Sequence, residues 1–387
     1  MAQELPKTAD VVIIGGGVMG TSTAYHLAGK GVKDIVLVEK EPFFGMMSTG
    51  QCAGGIRHQF SSEINVRLSI ESIRMLERFP EEMGQDIDLR FTGYLFLLTH
   101  QEDIAAFRAN VALQHSLGVM THWLEAGELA RRLPLMNLEG VLAGTLYERD
   151  GLCDPASLVQ GYVTNARRLG ARLFNDTQAM SIRTVAGRIR AVETNQGIIE
   201  TPVVVNACGA WAPQIGHMLG VDIPIEPIRR QIVVTTPIPE VPPDFPFIIF
   251  FHESLYFHRE GEGILTGKSN PDETPGYKLS VDPEWEMLHM DEAMVRMPLL
   301  KKAGLLSHWA GLYEVTPDAH PILGRIPTVE GFYLMAGFSG HGLMHGPVVG
   351  LLMAEEVVDG RAHTVDIDPF RYDRFLTKEL HPEYNVV

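Results

Sequence analysis

Four apolar residues in succession, Val11 to Ile14, run into three glycines in "DVVIIGGG". An unbroken apolar run of strand length that stops at turn residues predicts a strand buried on both faces, as in a parallel sheet. "GTSTAYHLAGKG" then predicts a helix with Gly31 at its C-terminal stop, and "DIVLVEK" a second buried strand. A run of small residues follows, "STGQCAGG", and an amphipathic helix emerges from it at about Glu63. Apolar runs return in "FTGYLFLLT", in "ETPVVVNACGAWA", and from "RQIVVTTPIP" to "GILTGKS" with proline-rich joins at 237–246. These predict further strands and turns. "FYLMAGF" is another strand, followed by the tight turn "GHG" and a long apolar helix, with Pro347 suited to its first turn and Gly360 to its exit.

The first strand–turn–helix carries chemistry. Gly15, Gly17 and Gly20 occupy the glycine positions of G-x-G-x-x-G, where they permit a tight turn, close approach of a pyrophosphate and close helix packing. The helix N-terminus offers free N–H groups and a positive dipole end to the anion. Glu39 closes the second strand, nineteen residues after Gly20, where a carboxylate accepts hydrogen bonds from the adenosine ribose and repels a 2′-phosphate. A plain glycine-rich loop would leave Glu39 unexplained, but the motif does not separate NAD from FAD. The second strand–glycine–helix junction, at 331–360, favours the flavin. A reduced flavin gathers negative charge on its ring, which a helix N-terminus stabilises. Candidate cofactor contacts are Gly15, Gly17, Val18, Met19 and Gly20 in the first turn, Glu39 and Lys40 after the second strand, and Ser48 and Thr49 in the small-residue run. Ala210 and Trp211 follow the third strand, and Gly337, Gly340, His341, Gly342, Leu343 and Met344 surround the second junction.

At 387 residues the chain fits two packed domains. Its net charge of −16 disfavours nucleic acid and anionic membrane as partners. No apolar stretch is long enough to cross a bilayer, and the polar start "MAQELPKTAD" lacks a signal peptide's apolar core. Cys52, Cys153 and Cys208 are widely spaced, which suits neither a zinc site nor a disulfide scaffold, so the expected compartment is the cytoplasm.

Taken together, "IIGGGVMGTSTAYHLA", "GGIRHQF", "VNACGAWA", "GLYEVTPDAHPILG" and "GFSGHGLMHGP" resemble the FAD-dependent amino-acid oxidoreductases of the glycine oxidase, sarcosine oxidase and D-amino-acid oxidase superfamily, most of all the β subunits of sarcosine oxidase and of archaeal proline dehydrogenase. The resemblance implies an α/β fold. A doubly wound, Rossmann-like FAD domain would be assembled from 1–84, 151–217 and 318–387, with an α+β substrate domain on a large mixed sheet from 85–150 and 218–317. It implies non-covalent FAD, a small amino-acid substrate such as sarcosine, proline or iminodiacetate, and a second subunit or a homo-oligomer as possible partners. The rival readings are an NAD-dependent dehydrogenase, a β subunit that passes electrons to a partner, and a flavin-binding assembly factor.

Individual residues carry over unevenly. Gly311 stands where monomeric sarcosine oxidase has its FAD-anchoring cysteine, and Met344 where it has a carboxylate-gripping lysine. Arg57, which by itself reads equally well as a surface ion-pair partner, is then the candidate for the substrate carboxylate. His341 is the candidate polar contact and proton partner at the flavin, and Tyr256 shapes the pocket mouth. The family's oxygen-activating lysine falls on Leu265, with Lys268 three residues on as a possible substitute. Cys153 occupies the place of the histidine that anchors FMN in heterotetrameric sarcosine oxidases, so covalent FMN is not expected. Arg229 and Arg230 read as a solvated pair, with a second-carboxylate role as the alternative.

Overall fold

The computed structural model describes residues 4–386; the first three residues of the polar N-terminal stretch, and the last residue, lie outside them. A six-stranded sheet runs in the order Ile322–Arg325, Phe332–Ala336, Val204–Asn206, Val11–Ile14, Ile35–Val38, Arg172–Phe174. Neighbours are parallel except for the edge strand Ile322–Arg325, which pairs antiparallel with Phe332–Ala336. The apolar run Val11–Ile14 serves two cores at once. Val11 and Ile13 pack towards the helices Val18–Gly29, Pro155–Arg168 and Gly342–Val358. Val12 and Ile14 pack the other way, in the core that also holds Ala179, Ile182, Ile189 and Ile199 of a three-stranded antiparallel sheet. Burial on both faces is why the run never alternates with polar residues.

The helices against the sheet approach closely. A Cβ on Gly346 would lie 2.5 Å from the Val18 side chain, and one on Gly350 only 2.1 Å from Ser22 Oγ. The helix after the second glycine junction starts at Gly342, so Pro347 lies inside it and not in its first turn as the sequence suggests. The turn residues "GLM" are already helical, and Pro347 removes the bond its own N–H would make and crowds the carbonyl of Leu343 one turn back.

An eight-stranded mixed sheet forms the other body, in the order Leu305–Val315, Glu226–Thr235, Gly263–Lys268, Leu255–Glu260, Phe247–Phe250, Tyr94–Leu98, Ala143–Tyr147, His122–Glu125. Only Phe247–Phe250 and Tyr94–Leu98 pair in parallel. The long edge strand Leu305–Val315 carries the chain back to the six-stranded sheet, and Ser48 Oγ donates to Leu312 O at 2.9 Å where the two bodies touch. No helix among the described residues is long and apolar enough to cross a membrane.

Candidate active site

The first glycine turn opens onto a long cleft of about 1360 Å³, its solvent-facing mouth included. Gly15 has φ +109°, and a Cβ there would meet Ala207 O at 2.4 Å; a Cβ on Gly20 would meet Gly15 O at 1.9 Å. The turn is therefore confined to glycine and presents backbone to the cleft. At the helix start, Val18 N–H donates to Thr49 Oγ1 at 3.2 Å. The Glu39 carboxylate accepts from Gly16 N–H at 2.6 Å and Glu41 N–H at 2.9 Å, and burial raises its pKa. Lys40 Nζ lies 4.0 Å over the Trp211 ring, which stacks on Tyr277. Gly15, Gly17, Val18, Met19, Glu39, Lys40, Ser48, Thr49, Trp211, Gly340, Gly342 and Leu343 all line this cleft. Gly20 and Ala210 are buried behind the wall, and Gly337 turns its N–H to the Glu314 carboxylate at 2.8 Å.

Two helix N-termini, those of Val18–Gly29 and Gly342–Val358, border the same cleft. Together with the glycine cradle and Glu39, they fit a dinucleotide with a charged pyrophosphate and a flavin ring. Glu314 was not anticipated from sequence. It lines the cleft, and burial pushes its carboxyl up to about 7 against the lowering effect of the Gly337 and Phe338 N–H groups. Its only sequence signal is a lone acid inside the small-residue and apolar stretch "GLYEV". His341 caps the second helix but does not face the cleft. Its ring packs 5.3 Å from Phe60 and 5.3 Å from His345, neither ring nitrogen has a partner, and burial holds its pKa well below the usual range.

A second, smaller pocket shares Ser48, Cys52, Leu312, Tyr313, Gly340 and Leu343 with the cleft. Tyr256, Met344, Tyr94, Phe247, Ile232, Ile249 and Arg230 also line it. The aromatic rings are stacked, Tyr94 on Phe247 at 4.2 Å and Phe247 on Tyr256 at 5.6 Å. Gly267 makes room for the Tyr256 phenol, since a Cβ there would lie 2.1 Å from Tyr256 Oη. Burial raises the pKa of Tyr94, Tyr256 and Tyr313, so all three stay protonated.

The cations are distributed differently from the sequence expectation. Arg57 stands on neither wall: its guanidinium donates to Gln59 O and Asn385 O and lies 3.9 Å over the Phe60 ring. The arginine pair is not solvated. Arg229 is buried in ion pairs with Glu273 at 2.7 Å and Asp282 at 3.2 Å. Arg230 faces the small pocket over the Tyr313 ring at 5.0 Å; one Nη donates to Arg229 O at 3.1 Å, and its buried Nε has no partner. Lys268 is outside both cavities, donating to Glu253 O at 2.9 Å and paired with Glu292 at 2.8 Å.

The DAO family, FAD dependent oxidoreductase, matches residues 10–356. Among solved structures, L-proline dehydrogenase from P. horikoshii superposes with a TM-score of 0.90 at 35% identity, covering 97% of this chain and 100% of that one. Mitochondrial dimethylglycine dehydrogenase of Rattus norvegicus is 31% identical over 400 residues, 97% of this chain and 46% of the relative. Mitochondrial sarcosine dehydrogenase of Mus musculus is 31% identical over 408 residues, 99% of this chain and 44% of the relative. The chain thus spans about half the length of these curated relatives.

Proposed function

The chain belongs to the family of FAD dependent oxidoreductases, with FAD as its cofactor, and we propose that it oxidises a secondary or N-substituted amino acid at a carbon bonded to the amine nitrogen. The observation that carries this reading is the Arg230 guanidinium, set in an aromatic pocket that shares a wall with the cofactor cleft. Similarity to a proline dehydrogenase and to dimethylglycine and sarcosine dehydrogenases supports the same substrate class. Among the described residues the pocket wall carries one cation, Arg230, which favours a monocarboxylate of the sarcosine or proline type over a dicarboxylate such as iminodiacetate.

FAD held by the glycine turn and Glu39 would supply the hydride acceptor for the carbon beside nitrogen, and water would hydrolyse the imine product. The chain's own residues set up that transfer. Arg230 holds the carboxylate and so fixes the carbon's position, on which hydride transfer depends steeply. Stacked Phe247, Tyr94 and Tyr256 exclude water. Among the described residues the pocket wall includes no Asp or Glu, so an ammonium entering beside Arg230 is desolvated and repelled, and the amine binds neutral. The N-terminus of Gly342–Val358 lowers the energy of negative charge growing in the cleft. His341, neutral and buried, positions the turn that presents this N-terminus.

The cofactor is held without a covalent bond. Burial pushes the Cys52 thiol up to about 11 and raises that of Cys208, the two cysteines that line the cleft, so neither is a ready thiolate nucleophile. Acid precipitation then leaves the yellow colour in the supernatant. Electrons leave by a route other than fast reaction with oxygen, because buried Leu265 stands at the family's lysine position and Lys268 is held by Glu292 and Glu253 O.

The test is the anaerobic visible spectrum of the purified protein before and after adding sarcosine, proline, dimethylglycine or iminodiacetate. Bleaching of the flavin band by a monocarboxylate, with slow recovery in air, is the expected outcome. A flavin band that no amino acid bleaches would overturn the reading.

A further inference from the structure

Away from the cleft, the mixed sheet ends in a cluster that the chemistry above does not use. The parallel strands Tyr94–Leu98 and Phe247–Phe250 run side by side with Leu97 beside Phe250. Each is followed two residues later by a histidine, His100 and His252, both exposed. Their imidazoles stack with centroids 3.3 Å apart and planes 14° from parallel. Asp103, in the first turn of the helix Gln101–Ser116, places Oδ2 3.8 Å from His252 Nδ1. That oxygen is shielded from solvent and has no hydrogen-bond partner. A shielded, unpartnered carboxylate oxygen is costly unless something positive meets it.

One of the two rings is held by an outer set of contacts. Thr99 Oγ1 lies 3.1 Å from His100 Nδ1 and donates to Glu253 Oε2 at 3.1 Å, while Glu253 Oε1 is paired with Arg296 at 2.7 Å. The threonine hydroxyl has one proton. With that proton given to Glu253, its oxygen accepts from His100 Nδ1–H, and this tautomer leaves the Nε2 lone pair free. A ring nitrogen tied through a hydroxyl to a carboxylate, with the other nitrogen free, is the usual support of a metal-binding histidine.

We propose that His100, His252 and Asp103 bind a divalent transition-metal ion of the zinc type, with water completing its coordination. Two imidazoles and one carboxylate suit zinc, cobalt or nickel, whereas magnesium and calcium prefer all-oxygen sites. The three ligand atoms lie within 4.8 Å of one another. Ligands of a tetrahedral zinc ion with bonds of ~2.0–2.1 Å stand about 3.3 Å apart. The remaining contraction requires the exposed His252 imidazole to turn out of the stack about its own side-chain bonds, towards the His100 ring that Thr99 holds. A bound ion would clamp the ends of two strands to the following helix, and one of those strands supplies Phe247 and Ile249 to the small pocket. Its expected effect is on stability.

The experiment titrates Zn²⁺ alone into untagged, FAD-loaded protein previously treated with a chelator, by calorimetry. One equivalent should bind tightly to the wild type, weakened by more than about a hundredfold in H252A and in D103N, each of which removes a ligand. T99V retains all three ligands and releases only the His100 ring; it should weaken binding more modestly. Co²⁺ should give visible bands beyond the flavin absorption in the wild type and not in H252A, and Zn²⁺ should raise the melting temperature of the wild type only. Absence of stoichiometric binding, or equal binding by wild type and variants, would overturn the site. Should H252A lose its flavin, H100A, on the other strand end, takes its place.

Discussion

Adjacent residues of a strand point to opposite faces, so Arg229 and Arg230 meet different surroundings. Arg229 finds Glu273 and Asp282, while Arg230 finds Tyr313 and open space. Replacing Arg230 with Gln removes a charge-assisted bond worth about 1.5–3 kcal/mol, so the dissociation constant of a carboxylate substrate or inhibitor should rise roughly tenfold to a hundredfold. Lys at this position should recover only part of the loss, since it keeps the charge without the planar fork. Spectral titration of the flavin with a carboxylate inhibitor measures both, and wild-type affinity in R230Q would rule Arg230 out. Glu314 makes a prediction about pH. Its folded pKa of about 7 exceeds the ordinary 4.5 because of burial, so between those values the folded chain keeps a proton that the unfolded chain has released. The stability it contributes is full below about pH 4.5 and falls by about 3 kcal/mol as pH rises through 7. E314Q keeps an acceptor for the Gly337 N–H and cannot ionise. Its melting temperature relative to wild type should therefore climb by roughly 4 °C between pH 5 and pH 8; a difference that stays flat with pH would contradict the assignment.

At the scale of elements, the packing of Gly342–Val358 on Val18–Gly29 decides whether the two helix N-termini border the same cleft. Gly350 is the narrowest point, where a Cβ would lie 2.1 Å from Ser22 Oγ and 2.7 Å from the Ser22 backbone carbon. Backbone cannot swing aside as a side chain can, so Gly350→Ala should cost about 1–3 kcal/mol and release flavin more readily. Thermal melts and the flavin-to-protein absorbance ratio report the two effects, and a variant with unaltered values for both would show that the helices have slack. These elements were legible in the sequence because their signals are local. "VVII" followed by glycines, Glu39 at the end of the next strand, and "GHG" before an apolar helix each lie within a few residues of the feature they specify. The arginines were not legible, because for Arg57 and Arg229 a deciding partner lies far along the chain. Arg57 is captured by the carbonyl of Asn385, and Arg229 by Glu273 and Asp282. Glu314 is illegible for a similar reason: its raised pKa comes from burial where two sheets meet, which no nearby residue announces. The position of Pro347 is not legible because the helix boundary depends on whether a glycine turn is already wound, and composition leaves that open.

At the scale of the molecule, the cleft takes one wall from the glycine turn of the six-stranded sheet and another from Leu312, Tyr313 and Glu314, on the strand that edges the eight-stranded sheet. A cofactor lying between them touches both bodies and binds the folded arrangement, whereas the unfolded chain offers it nothing comparable. Mass action then makes FAD a stabiliser of the whole chain. At a free concentration a hundred times its dissociation constant, it adds about 2.7 kcal/mol. For a chain of 387 residues, an unfolding entropy of ~2.1 cal/mol/K per residue turns this into a rise in melting temperature of roughly 3 °C, with about half as much again for a further tenfold in FAD. The same rise should be seen by tryptophan fluorescence and by circular dichroism, because both bodies close on one ligand. If FAD shifted only one of two separable transitions, the bodies would be melting independently and the cleft would belong to one of them alone. In that case the edge strand Leu305–Val315 could not be what ties the aromatic pocket to the cofactor, and Arg230 would lose its place beside the flavin.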